Sequence, residues 1–372
     1  MEKVQEYLEI MKNMHQQILE YIDSANNLEN DFETLENCFN NLSITQSRQK
    51  FKGLLHLIID ISNNHQRSPD FFKKVEKILI FVKTEIKQTF SNLEIFNFFK
   101  TNKRILLFLI EEKIVVIDRI ILLKLIRKND YESFFLPEIS SFYGCGEIID
   151  QNDESLTEFQ RKRKIGENDD FLCQLIRNDS VAEFVEYVNK ANLPLNSIIK
   201  PSFYETNQSL LENDKIELIE YAAFFGSIQI LQYLWKSGIE LMPKTLNYSI
   251  HSNNHELIHF LIENLDNPLN SYYDCLIESI KCHHIEVSDF FKENSEIRPD
   301  QKNKLDLEIV KYHNYLNFPE EFDTNFIFPY LCLYDYRILV ENFLNNNNID
   351  VNKTVIQNII IWFNYVLITN DF

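Results

Sequence analysis

Seven side chains able to ligate a metal fall within one stretch of the chain. His251, His255 and His259 stand at intervals of four, and Cys275, Cys282, His283 and His284 follow. Imidazole and thiolate are the donors that zinc prefers. The spacing argues against a site, because neither a CxxC nor an HExxH pair is present. Asn253-Asn254 reads as a turn that leaves His251 at the end of one helix and puts His255 and His259 on the next, and Cys282 to His284 straddle a second turn. The expectation is no metal and no cofactor. Gly144-Cys145-Gly146 places a thiol in a turn, but no cysteine-hydrolase signature or paired base accompanies it, so it reads as a loop cysteine. With six glycines in 372 residues there is little material for phosphate loops, and no P-loop, dinucleotide fingerprint or Gly-x-Ser-x-Gly elbow appears. The chain does not read as an enzyme.

The elements that would position these residues are helical hairpins. Over residues 216–239, IELIEYAAFFGSIQILQYLWKSGI, Tyr221, Ala222 and Ala223 give a first helix a face of small residues, and Gly226-Ser227 supplies a turn. Ile228, Ile230, Leu231 and Leu234 recur at helical spacing on a second helix, which Gly238 ends. The same grammar returns around Asn178-Asp179, and Gly226 maps onto Asn253, onto His283 and, in a later copy, onto Tyr336. Leu307 to Val310 hints at a decayed copy between the last two. Earlier in the chain, Ile105, Leu106, Leu109 and Ile114 can be laid on Ile230, Leu231, Leu234 and Ile239. A hairpin of this size cannot bury its own apolar face, so copies must stack.

Toward the N-terminus, Val4, Tyr7, Met11, Met14, Ile18 and Tyr21 form an apolar stripe, and Phe51, Leu54, Leu55, Ile58 and Ile61 another. Ser68-Pro69 is placed to start a helix, with Ser68 as cap and Pro69 at the first helical position. Ser91 to Glu94 has the form of a capping box. The polar, charged run around FQRKRKIGENDD marks the expected boundary, giving an N-terminal helical region over 1–155, a polar linker over 156–170 and a degenerate repeat array over 171–372.

A hydrophobic content of 45% excludes a disordered chain, and the net charge of −19 argues against binding nucleic acid or an anionic membrane surface. The longest apolar runs fall far short of a membrane helix, and no secretory signal precedes them. The six cysteines show no repeated spacing and read as reduced thiols, so the expected location is cytoplasmic. Arg161-Lys162-Arg163-Lys164 offers a nuclear-import signal if exposed in the linker, against the alternative of a solvated charge run.

Turns at intervals of about 30 residues, with a helix-turn-helix in each, lie close to the ~33-residue ankyrin period. Ala222-Ala223-Phe224-Phe225-Gly226-Ser227 resembles the ankyrin Ala-Ala-x-x-Gly-His core, and His284 stands at the usual histidine position in its own copy. Asn348-Ile349-Asp350-Val351-Asn352 resembles the Gly-Ala-Asp-Val-Asn ending of a repeat. The Thr-Pro-Leu-His signature is replaced by Glu217-Leu218-Ile219-Glu220, which puts the usual hairpin loops in question. The blocks NNHQRSPDFF, IFNFFKTNKRILLFLI, GENDDFLCQLIRNDS and IEYAAFFGSIQILQYL together resemble a large, divergent ankyrin family of unknown function expanded in trichomonad protists.

That resemblance implies an all-α fold, helical hairpins stacked as an α-solenoid with degenerate ankyrin repeats in the C-terminal half, and no assigned catalytic residue. The function it implies is non-catalytic binding of a protein partner as scaffold or adaptor. In an ankyrin repeat the residues before the turn face the concave surface, which here nominates Phe224, Phe225, His251, Ser252, Lys281 and Tyr334, with Cys282 and Asp335 beside them. The two phenylalanines are equally readable as core. An acidic chain suits a basic partner. The alternatives are self-association through the stripe from Val4 to Ile22 and an enzyme with an unrecognised site.

Overall fold

The computed structural model describes residues 2–25, 28–127, 129–144, 154–213 and 215–345. Among them regular structure is entirely helical, with 23 α-helices and four short 3-10 turns. A single isolated antiparallel bridge joins Ile198 to Glu217. Where Thr-Pro-Leu-His is missing, no β-hairpin is formed. No described helix is long and apolar enough to cross a membrane.

The chain condenses into two units, one made of 1–62, 67–98 and 296–372, the other of 63–66 and 99–295. These lines differ from a division at 156–170. The last described helices group with the first ones, and most of the segment read as a polar linker is helix, Glu154–Ile165.

In the first unit the N-terminal stripe is core. Tyr7, Met11, Met14, Ile18, Tyr21 and Ile22 are all buried on helix Glu2–Asp23, which packs on Leu28–Asn41. The helix stops where a buried cation waits for it: Lys74 Nζ donates to the carbonyls of Ile22 at 2.9 Å and Ser24 at 2.6 Å, satisfying acceptors that a helix C-terminus leaves unpaired. Phe51, Leu54, Leu55, Ile58 and Ile61 are buried on Arg48–Asn64. The capping box is present, with Ser91 N donating to Glu94 Oε2 at 2.9 Å and Glu94 N to Ser91 Oγ at 3.3 Å. The start signal at Ser68-Pro69 is displaced, however. The helix begins at Phe71 after Asp70, and Ser68 contributes its backbone carbonyl, which accepts from Phe71 N at 3.0 Å.

The C-terminal part of the same unit holds Pro299–Lys311, Thr324–Leu333 and Arg337–Asn345. Between the first two, His313 Nδ1 donates to Asp60 Oδ2 at 2.8 Å, and its ring lies flat on His56, centroids 4.5 Å apart. Burial, reinforced by the neighbouring His313 and Lys52, holds His56 well below the ordinary histidine pKa of 6.5.

The second unit contains four consecutive helix pairs: Phe171–Arg177 with Val181–Ala191, Leu218–Phe225 with Ile228–Lys236, Pro243–Ser249 with His255–Asn264, and Tyr272–Cys282 with Ile285–Glu293. Each first helix packs on the first helix of the next pair, so this part of the unit is a stack. One residue in each turn takes the left-handed conformation: Asp179 (φ 49°), Gly226 (74°), Asn253 (51°) and His283 (59°). Its amide bonds back three residues in all four turns. In three of them the next amide bonds back five: Ser180 to Leu175, Ser227 to Ala222 and His284 to Ser279. That pair of bonds is the Schellman helix stop, which needs a positive φ at its fifth position. The same stop ends second helices, with Ile239 bonded to Leu234, and it recurs at Ile114 bonded to Leu109. The alignment of Ile114 on Ile239 therefore corresponds to a shared backbone geometry.

Two expected repeats change in detail. The last copy turns at Asp335 (φ 63°), not at Tyr336, and Tyr336 N bonds to Leu331 O; the true register is one residue earlier. The decayed copy keeps its stop, with His313 at φ 48° and Asn314 bonded to Ile309, but a 3-10 turn over Tyr315–Asn317 stands where a second helix would be. The repeat ending at Asn348–Asn352 lies outside the described residues.

Two outcomes follow. A Cβ on Gly226 would be forced into the left-handed region and to 3.0 Å from Ser252 Cβ, so Gly226→Ala should lower the unfolding free energy by about 1–2 kcal/mol in guanidinium titrations. For His56 the folded pKa lies below the unfolded one. Its contribution is therefore complete above pH ~6.5 and is lost as pH falls toward the folded value. Denaturation midpoints measured from pH 7.5 to 5.5 should fall with pH, and fall less in His56→Phe.

Candidate functional site

Stacking in register brings equivalent turn positions into a column. Phe224, His251 and Lys281 each stand two residues before the left-handed turn residue of their own pair. The ring of Phe224 lies against that of His251, centroids 4.6 Å apart and planes 24° from parallel. All three side chains are buried, at 7%, 4% and 7% exposure. Phe224 therefore packs between two hairpins as core. Phe225 is half-buried, held between Tyr221 at 4.8 Å and the Arg177 guanidinium at 5.7 Å.

His251 is the centre of a polar cluster. Its Nε2 donates to Glu278 Oε2 at 3.0 Å, and its Nδ1 accepts from the Cys282 thiol at 3.2 Å. Glu278 and Cys282 are four residues apart on helix Tyr272–Cys282, a spacing that puts them on one face. Both imidazole nitrogens thus have a partner. Lys281 Nζ lies 3.8 Å from Glu278 and 3.9 Å from Glu212. Among the described residues, His251, Glu278 and Cys282 form the one group of three or more whose potential ligand atoms all lie within 4.8 Å of one another.

The order thiol, imidazole, carboxylate matches that of a cysteine nucleophile with its base and orienting acid. Its setting does not. The Cys282 side chain is fully enclosed, and burial, with the nearby Glu278 charge, pushes its pKa well above the ordinary thiol value of 9.0. A catalytic thiol needs the opposite: exposure, and a positive field to lower its pKa.

The remaining histidines have separate tasks. His255 and His259 are exposed on the second helix of their pair. His284 Nδ1 donates to the Ile250 carbonyl at 2.9 Å, and His65 Nδ1 to the Cys282 carbonyl at 2.8 Å. Ser252 Oγ donates to Ser249 O at 2.7 Å within its own turn. Tyr334 belongs to the other unit, and because of the shifted register it stands one residue before its turn, where Phe225 stands in the second pair.

Sequence reasoning separated His251 from His255 and His259 correctly, but it missed that stacking joins His251 to Cys282. It also missed Glu278, whose signal was its four-residue spacing from Cys282.

The basic run lies mostly on the surface of helix Glu154–Ile165, where Arg161 and Lys164 are exposed, Lys162 is half-buried and Arg163 is buried. Arg163 is buried, paired with Glu138 at 2.7 Å, and donates to the Phe134 carbonyl at 3.0 Å. Arg161 pairs with Glu158 and Lys162 with Asp169, each at 2.7 Å, and Lys164 lies 3.5 Å from Glu111. Arg163 is thus withdrawn from solvent, while the pairs of Arg161 and Lys164 lie at the surface, with those two side chains 56% and 55% exposed. Cys145 and Gly146 lie outside the described residues.

A cleft of 290 Å³ bordered by Lys200, Ser202, Glu205 and Tyr221 opens elsewhere in this unit. Its buried carboxylate is already engaged: Glu205 accepts from the amides of Thr206 and Asn207 at 2.8 Å, from Asn207 Nδ2 at 2.7 Å and from Asn168 N at 3.1 Å. Glu205 ties a loop together there.

Comparison with known proteins finds no family model that matches the chain, and no similar curated protein or solved structure.

The different burial of the two phenylalanines gives a direct contrast. Phe224→Ala should cost about 3–5 kcal/mol of stability. Phe225→Ala should cost about 1 kcal/mol, with helicity by circular dichroism unchanged.

Proposed function

We propose that residues 171–295 form a non-catalytic protein-binding stack of the ankyrin type, and that it takes a basic, amphipathic segment of a partner protein. The reading is carried by four exposed residues. Phe171, Ile198, Met242 and Leu269 are large apolar side chains at 55%, 48%, 50% and 70% exposure. Each stands beside the start of the first helix of its pair: Phe171 opens the first, Ile198 bridges Glu217, the residue before Leu218 of the second, Met242 is the N-cap residue of the third, and Leu269 lies in the 3-10 turn before Tyr272 of the fourth.

Because the turn ends of successive pairs are bonded to one another, the starting ends lie together at the opposite edge. The 3.4 Å approach of Lys244 Nζ to Glu220 across two of these helix starts supports the same placement. Asp170, Glu240 and Asp266 accompany Phe171, Met242 and Leu269 in sequence, Glu217 is bridged to Ile198, and Glu217, Glu240 and Asp266 are exposed. Apolar anchors bordered by acids complement a segment bearing both leucine-like and lysine- or arginine-like side chains.

The nominated turn residues offer less. Phe224, His251 and Lys281 are buried, which leaves Phe225 and Ser252 as the accessible members in this unit. Self-association through Val4 to Ile22 loses its surface, since most of that stripe is core. The described cysteines are free thiols, which fits a reducing, cytoplasmic setting.

Peptides displayed on phage and selected on the full chain test this reading. Selected sequences should be basic and amphipathic, and their affinity should drop at least about tenfold when Met242 and Leu269 are both changed to Ser, with the circular dichroism spectrum retained. Selected peptides that bind the double variant as tightly as wild type would remove the proposal.

A further inference from the structure

We propose that His251, Glu278 and Cys282 bind a divalent transition metal ion of the zinc type, clamping the third helix pair to the fourth. Three observations support it, independently of any protein partner. The first is the donor set. A thiol, an imidazole and a carboxylate suit zinc(II) and cobalt(II) and are poorly suited to magnesium or calcium, which take oxygen ligands.

The second is geometry. Two donors project from one face of Tyr272–Cys282 and the third comes from the preceding pair, with all three ligand atoms within 4.8 Å of one another. Thiol and imidazole already meet at 3.2 Å, close to the ~3.5 Å separation expected of two ligands about 2.0–2.3 Å from one tetrahedral zinc ion. Binding exchanges the thiol proton for the ion and releases that proton to solvent. Glu278 is bonded to the other ring nitrogen, Nε2, so binding requires its carboxylate to leave Nε2 and swing to the Nδ1 side; its side chain is 27% exposed while that of His251 is 3% exposed.

The third is enclosure. Phe224 covers one face of the imidazole, Cys282 is fully enclosed, and Glu278 forms the route to solvent. An ion can enter by that route where a substrate could not reach the thiol. Three protein donors leave a fourth position for water on the Glu278 side. Lys281, whose Nζ lies 3.8 Å from Glu278, has Glu212 at a similar distance, 3.9 Å, as a second partner. His65 and His284 hold carbonyls of Cys282 and Ile250 with their Nδ1 atoms, so their bonds fix the backbone beside two of the donors.

Cobalt(II) alone, titrated into the full-length protein after chelation and reduction, is the test. One equivalent should produce a sulfur-to-cobalt charge-transfer band in the near ultraviolet and the visible bands of a tetrahedral site, and zinc(II) should displace both. Cys282→Ser should abolish the charge-transfer band, and Glu278→Gln should weaken binding at least about tenfold. Zinc(II) should raise the melting temperature of wild type and not that of Glu278→Gln.

Absence of the band in wild type, its persistence in Cys282→Ser, or wild-type affinity in Glu278→Gln would each overturn the proposal. If Cys282→Ser fails to fold, Glu278→Gln decides alone, since its side chain is partly exposed and its shape is conserved.

Discussion

The four helix pairs of the second unit depend on one local constraint, a residue with positive φ between the helices of each pair. It lets the first helix stop within one turn and sends the chain back at the right distance for the second helix to pack on the first. It also sets the residue after it against the preceding pair. Ser227 Oγ donates to the Ile176 carbonyl at 2.5 Å, and His284 Nδ1 to Ile250 at 2.9 Å, so both reach the carbonyl three residues before the preceding turn residue. Asn254 occupies the same place and reaches Gly226 O instead, at 3.2 Å. Asp179 works in the other direction, its two carboxylate oxygens accepting from Gln229 N and Ile230 N at 3.0 and 2.9 Å. The turn thus supplies the helix stop, the bond to the preceding pair and, at Asp179, the cap for the following one.

Polar groups buried by stacking must be satisfied by neighbours in the stack. That requirement accounts for the composition of the column behind the turns. A phenylalanine ring meets a histidine face, the histidine spends both nitrogens, and a lysine rests between two glutamates. Of the residues that read as a binding face when taken one hairpin at a time, Phe224, His251 and Lys281 are buried, while Phe225, Ser252 and Tyr334 remain partly exposed.

Much of this could be read from residue types. The hairpins, the turns at Gly226, Asn253 and His283, and the N-terminal stripe were legible because apolar periodicity and turn chemistry are local. The last turn was placed one residue late because Tyr334-Asp335-Tyr336 contains neither glycine nor asparagine, and an aspartate gives a weaker sign of a left-handed position. Within the run from Arg161 to Lys164 the burial of Arg163 was not legible, because its partners, Glu138 and the Phe134 carbonyl, come from other helices. Grouping of residues 296–345 with 1–62 rests on contacts between distant segments such as Asp60 with His313, and periodicity carries no information about those. The His251 cluster was missed for a related reason: its members belong to different pairs, and only the stacking register joins them.

Three of the four turn positions hold Asp179, Asn253 and His283, and glycine occupies only one. What the stack repeats is therefore a torsion angle, which residues of quite different character can supply at modest energetic cost. Such a repeat can change its letters while keeping its shape, because a substitution there is judged by φ and by one side-chain bond to the neighbouring pair. Substitution of this kind leaves architecture intact while it erases the written pattern, and the four pairs of this chain share the torsion while differing in the residue that supplies it.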